Sequence, residues 1–141
     1  MRDTSDERGT SVAVTTTTEL GRVGETRALR HLECAGLQLL LRNYRCRAGE
    51  VDLVMLEPAG PLLVLVEVRS RSRSDYGSAA ATIGYGKQRR FTLAARHLLM
   101  TRRDLRRLRV RFDVVAIDPP VEPGGEVTVT WIRGAFAGVQ G

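Results

Sequence analysis

Lysine is almost missing from this chain: among 141 residues there is one, Lys87, beside 21 arginines. Aromatic residues are sparse as well, with one Trp, three Tyr and three Phe. Few side chains are left to stack single-stranded bases, which favours shape and backbone recognition over base readout. Tyr76 and Tyr85 are placed to stack near a loop, though packing or exposure would serve them equally. The two histidines, His31 and His97, stand alone on helical stretches, and no Ser-His-Asp or Cys-His arrangement emerges. The two cysteines, Cys34 and Cys46, have no C-x-x-C spacing, and a structural zinc site needs four ligands, so zinc is excluded. Reduced thiols fit them better than a disulfide. Gly84-Tyr-Gly-Lys87 ends like a phosphate loop, but no Ser or Thr follows the lysine and the upstream glycine is absent. The longest apolar run, Pro61 to Val66, is far short of the ~20 residues that span a bilayer. The N-terminus has no apolar segment of the signal-peptide kind, so a cytoplasmic location without membrane contact is expected. No internal repeat is visible.

What remains is an ordinary globular composition with a basic excess. Hydrophobic residues make up 43% and charged residues 27%, and the length suits one core. A net charge of +6 and a pI near 10.3 favour an anionic partner, most often nucleic acid.

Residues 1–17 are polar and read as a disordered leader, leaving a single domain over 18–141. Leu20, Val23, Ala28, Leu29, Leu32 and Ala35 recur near helical spacing, with Thr18 as cap and Gly36 as stop. A strand follows over Leu37 to Tyr44, with a turn from Cys46 to Gly49. Two apolar runs then flank Pro58-Ala-Gly-Pro61, a hairpin signal. Both runs are apolar on both faces, as in central strands covered on two sides. Ser70 to Ser78 is a polar, arginine-bearing loop. A second helix covers Ile83 to Met100, with Phe91, Ala94, Ala95, Leu98 and Leu99 as its core stripe. Arg102 to Arg107 is a basic connector, and two strands, Val110 to Ile117 and Val127 to Ile132, close the chain. The order αβββαββ describes an α/β fold whose mixed central sheet is flanked by helices.

The hairpin carries charge where a strand should be apolar. Glu50 and Asp52 share a face of the first run by two-residue alternation, and Glu67 and Arg69 share one of the second. Desolvating a carboxylate costs several kcal/mol, in practice about that much per ion, so each needs a partner. Two partners suit the pattern: arginines inside the sheet edge, or a divalent ion held by Asp52 and Glu67, as Mg²⁺ or Mn²⁺ prefer oxygen ligands. Spacing alone favours the arginines.

The residues also carry a resemblance. Asp52, Glu67 and Arg69 in the pattern D-x(14)-E-x-R resemble the signature of the PD-(D/E)XK nuclease superfamily. More closely, G-E-x-D-L-V followed by L-V-x-V-E-V-R-x-R resembles the bacterial YraN-like family, which is endonuclease-like with a Holliday-junction-resolvase-like fold. G-x-x-G-E at Gly21 to Glu25, R-N-Y-R at Arg42 to Arg45 and K-Q-R-R at Lys87 to Arg90 fall in the same order as that family's motifs. So do R-F-D-V-V at Arg111 to Val115 and Ala135-Phe136. The resemblance spans roughly Glu19 to Phe136.

It implies a restriction-endonuclease-like αβββαβ core with an extra C-terminal strand, and a Mg²⁺- or Mn²⁺-dependent endonuclease acting on DNA, including branched or repair intermediates. Asp52 and Glu67 would bind the metal, with the Val68 backbone carbonyl as a further ligand. Glu25, on an isolated helix a solvated residue, would reach the same site. Arg69 departs from the pattern, which has lysine there. Arginine stays protonated, so Arg69 can stabilise charge but not serve as a base; Lys87 is the substitute cation. Val51 stands where the superfamily name has proline, a position that varies. Arg71, Arg73, Lys87, Arg89 and Arg90 would contact phosphates on either side of the site, whereas Arg102 to Arg111 reads as a solvated connector. DNA is the expected partner ahead of RNA, and a homodimer follows by analogy only. The alternative is a nuclease-fold module that binds nucleic acid or protein and cuts nothing.

Overall fold

The computed structural model describes residues 17–71 and 83–137, with side chains from residue 21 onward. Residues 1–16 of the polar leader, the segment containing Arg73 and Tyr76, and the last four residues lie outside that range, while Thr17, read as the leader's last residue, begins α1. The elements run α1 (Thr17–Cys34), β1 (Gln38–Cys46), β2 (Gly49–Glu57), β3 (Leu62–Ser70), α2 (Tyr85–Thr101), a 3₁₀ turn (Arg103–Leu105), β4 (Arg109–Asp118) and β5 (Thr128–Phe136). One five-stranded sheet has the order β1-β2-β3-β4-β5. All neighbours are antiparallel except β3 and β4, which are parallel and joined through α2. This mixed α/β architecture is consistent with a restriction-endonuclease-like core. No described helix is long and apolar enough to cross a membrane.

The doubly apolar runs of β2 and β3 are explained by two core layers. Leu53, Met55, Val64 and Val66 face Ala28, Leu29 and Leu32 of α1. Val54, Leu63 and Leu65 face Phe91, Ala94, Ala95 and Leu98 of α2 on the other side. Each strand therefore buries both its faces, and alternation of polar and apolar residues would be unfavourable. Phe91, Phe112 and Phe136 meet with centroids 5.2–5.6 Å apart, which gives the late Ala135-Phe136 pair a packing role.

Of the expected stripe of α1, Ala28, Leu29 and Leu32 are buried, Leu20 has no described side chain, and two residues are corrected. Val23 is 60% exposed and Ala35 is exposed, while Gly24 is buried. The inward line is Gly24, Ala28, Leu29 and Leu32. A Cβ on Gly24 would meet the Ser70 hydroxyl, a side-chain atom that can rotate aside, so the helix crosses the end of β3 closely. Gly21 has no such neighbour within 4 Å. Thr18 lies inside the helix, one residue past its start, and is not its cap. At the other end Gly36 takes φ 101°, and Leu37 N–H donates to Leu32 O while Gly36 N–H donates to Glu33 O. That is a Schellman-type stop, the left-handed residue being the glycine.

Candidate active-site cleft

The ladder between β2 and β3 runs from Glu57↔Leu62 to Leu53↔Val66 and stops there. The next pair in register is Asp52 and Glu67. Asp52 does not continue the ladder: its Oδ2 accepts the Val68 backbone N–H at 2.7 Å. Around it the two-residue alternation breaks, since Val51 packs in the α2-side layer and Leu53 in the α1-side layer. On β1 the residue across from Asp52 is Asn43, between the pairs Arg42↔Leu53 and Tyr44↔Val51, and it takes φ 54°. Both strands thus kink at one level, and the sheet opens there.

The opening is a cleft of about 720 Å³. Asp52, Glu67 and Val68 form its floor, Glu25 comes from α1, Glu50 from the start of β2, and Lys87 and Arg90 from α2. Two glycines set its width. Gly24 lets α1 down onto β3, and a Cβ on Gly49 would meet the Arg90 carbonyl oxygen at 2.8 Å, so α2 rests directly on the start of β2.

Four carboxylates, Glu25, Glu50, Asp52 and Glu67, share this space with Arg45, Lys87 and Arg90. Burial pushes the Asp52 carboxyl up from 3.8 to about 7. The charge of Glu67 adds to the rise, the Val68 N–H opposes it, and Glu25 and Glu50 contribute less. Glu67, 6% exposed, is met by Lys87, whose Nζ lies 2.8 Å from Oε2 while the lysine side chain stays half exposed. The only lysine of the sequence therefore reaches the second acidic residue from a helix rather than from the strand.

Glu25 is held, not loose. Arg42 approaches one of its oxygens at 3.7 Å, and the Asn43 side-chain amide, assigned with its nitrogen toward Glu25 because the opposite orientation would set oxygen against oxygen, donates to both at 3.3 Å. The R-N-Y-R motif was legible in the sequence, but its function was not. A residue at φ 54° favours Gly or Asn, and here the asparagine also supplies a donor to the helix above. Glu50 pairs at the rim with Arg45 at 3.0 Å.

Other expected site residues fall elsewhere. Arg69 is not among the residues that line the cleft; it lies across from Ala116 in the parallel ladder. Arg71 is corrected from a phosphate contact to a structural one. Its Nε and Nη2 fork onto Asp118 at 2.5 and 2.7 Å, with the two side chains only 6% and 4% exposed. Arg73 lies outside the described residues. Arg89 and Arg90 are exposed on α2, and Arg90 reaches the cleft. Among the described residues no three His, Cys, Asp or Glu side chains converge closely enough to hold a metal ion by themselves.

A second acidic centre went unread in the sequence. Asp113 is fully buried and accepts from Arg111 Nε and Nη2, Trp131 Nε1 and the Gly134 backbone N–H, at 2.8–2.9 Å. Both its oxygens are satisfied, which makes it a brace between β4 and β5.

Residues 24–117 match the family described as Uncharacterised protein family UPF0102. The chain belongs to the UPF0102 family. A UPF0102 protein of Dechloromonas aromatica is 49% identical over 122 residues, covering 86% of this chain and 92% of its own length. One from Cupriavidus taiwanensis is 50% identical over 117 residues, or 82% of this chain and 81% of its own. A third, from Legionella pneumophila, is 41% identical over 120 residues, or 85% and 96%. The segment matched to UPF0102 begins at the buried glycine of α1 and ends in β4, so it contains Glu25, the kink at Asn43 and Asp52, Glu67 and Lys87.

Proposed function

We propose that the cleft hydrolyses phosphodiester bonds in DNA with the help of Mg²⁺ or Mn²⁺, as an endonuclease of the PD-(D/E)XK type acting on branched or repair intermediates. The observation that carries this reading is the meeting of Asp52, Glu67 and Lys87 where the sheet opens. Two carboxylates and a lysine side by side are the parts such chemistry uses, and here the lysine arrives from α2. The donors suit a hard divalent ion: Asp52 is raised by burial and by three neighbouring carboxylates, a field that a cation would relieve. Mg²⁺ commonly takes one or two carboxylates and keeps its waters, so Asp52 and Glu67 suffice, with the Val68 carbonyl and Glu25 as further oxygens. When bound, the ion supplies Lewis acidity at the phosphate and a more acidic water.

The chain's own residues do the rest. Lys87 Nζ, at 2.8 Å from Glu67 and open to solvent on its other side, orients a water or hands over a proton. Arg45 and Arg90 line the cleft and Arg89 lies exposed nearby, where they contact phosphates without reading sequence. Arg69 stays protonated and takes no part in proton transfer.

One observation favours the second reading, a module that binds nucleic acid without cutting it: three carboxyl ligands do not converge on one point among the described residues. Calorimetric titration with Mn²⁺ separates the two. Binding by the wild type that disappears in Asp52→Ala/Glu67→Ala, followed by metal-dependent cleavage of branched or linear DNA, supports the nuclease. A wild type that binds no Mn²⁺, with or without DNA, leaves the binding module.

A further inference from the structure

Thr101 to Arg111 contains six arginines and one acidic residue. Arg102 is spent on Asp104 at 2.9–3.0 Å, and Arg111 on Asp113. Arg103, Arg106, Arg107 and Arg109 are exposed, and among the described residues no carboxylate pairs with any of them. The turn that presents them is fixed. Leu105 is 5% exposed, Leu108 packs on the α2-side layer, and backbone bonds run from Leu105, Arg106 and Leu108 to the residues three earlier. Four uncompensated guanidinium groups on an anchored turn repel one another unless an anion lies across them.

The turn stands at the far end of α2 from the cleft. From Lys87 to Thr101 the helix rises about 21 Å at 1.5 Å per residue. In the sheet, Arg109 lies across from Leu62, the first residue of β3, whereas Glu67 is near that strand's other end. Exposed Arg89 and Arg90 mark the cleft end of the helix.

We propose that this turn is a second contact for the phosphate backbone of a duplex whose other part lies at the cleft, resting on the nucleic-acid half of the reading above. Guanidinium forks match phosphate oxygens in pairs, which suits arginine more than lysine. A bilayer surface fits less well, because Met100 is the one large apolar side chain exposed beside the turn among the described residues. A span of about 21 Å equals about six base pairs at 3.4 Å each, so shorter duplexes touch one end only.

The test is duplex binding by fluorescence anisotropy in a chelator at several salt concentrations. Arg103→Gln/Arg106→Gln/Arg107→Gln/Arg109→Gln should bind a duplex of about twenty base pairs with a salt slope lower by three to four, at roughly 0.9 per phosphate contact. On a loop-closed stem of about five base pairs, which reaches one end only and can use the cleft end instead, its slope should fall by less than on the long duplex. An unchanged slope on the long duplex overturns the proposal, as does a wild type that binds anionic phosphatidylserine vesicles but no duplex. Should the quadruple variant fail to fold, Arg106→Gln and Arg107→Gln are measured singly; each lowers the slope by about one, and no change in either refutes the contact. Loss of Mn²⁺ binding with an intact salt slope would sink the nuclease reading and leave this one standing.

Discussion

Asp52→Asn isolates the electrostatic cost of the cleft. The carboxyl is raised from 3.8 to about 7 by burial and by Glu67. The folded state therefore holds this proton more tightly than the unfolded chain. Its contribution is fully present below the unfolded value and is lost as pH rises through the folded one. A shift of about three pH units corresponds to about 4 kcal/mol in full, of which about 2 kcal/mol falls between pH 5 and pH 7. Asparagine keeps an oxygen to accept the Val68 N–H and carries no charge. Urea unfolding in a chelator, at unit pH steps from 5 to 8, should show the wild type losing about 2 kcal/mol relative to the variant between pH 5 and 7. At pH 8 the variant should be the more stable protein. Parallel stability curves would refute the reasoning, because they would mean that Asp52 ionises in the fold as it does in water.

Gly49→Ala should destabilise by about 1–3 kcal/mol, because its Cβ meets backbone at Arg90 that cannot rotate away. Gly24→Ala should cost less, since the atom in its way is the rotatable Ser70 hydroxyl; equal thermal shifts for the two would contradict this. Asp113→Ala should cost about 3–5 kcal/mol by denaturant titration, as Arg111, Trp131 and Gly134 lose a buried acceptor, and a loss under ~1 kcal/mol would count against the brace. Asn43→Ala should lose about 1–2 kcal/mol to left-handed strain while Asn43→Gly retains most of the stability, so identical melting of both would argue against strain at this position.

The hairpin of β2 and β3 was legible almost to the residue, because Pro58 to Pro61 is local turn chemistry and two-sided apolarity is local composition. The second helix was legible for the same reason. On α1 the middle of the expected stripe, Ala28, Leu29 and Leu32, is buried, while Gly24 takes the inward place read for Val23, since hydrophobic spacing cannot count a glycine as the contact residue. Of the residues that the family resemblance marked, Glu25, Asp52, Glu67 and Lys87 lie along the lining of one cleft, and Arg69 does not. The sequence did not reveal what Arg42 and Asn43 do. The donor pair depends on a positive φ that residue types do not announce.

Element order, the mixed sheet and the acidic hairpin follow from the sequence alone, because periodicity and turn residues act over a few neighbours. Which charges are spent and which are free was decided only in three dimensions. Arg71 and Asp118 are 47 residues apart and bury each other; Glu67 meets Lys87 across the β3–α2 connection; Asp113 gathers donors from both β4 and β5. Ion pairing depends on distance and desolvation, and both are set by packing, so an arginine that reads as a phosphate contact along the chain can be part of the core.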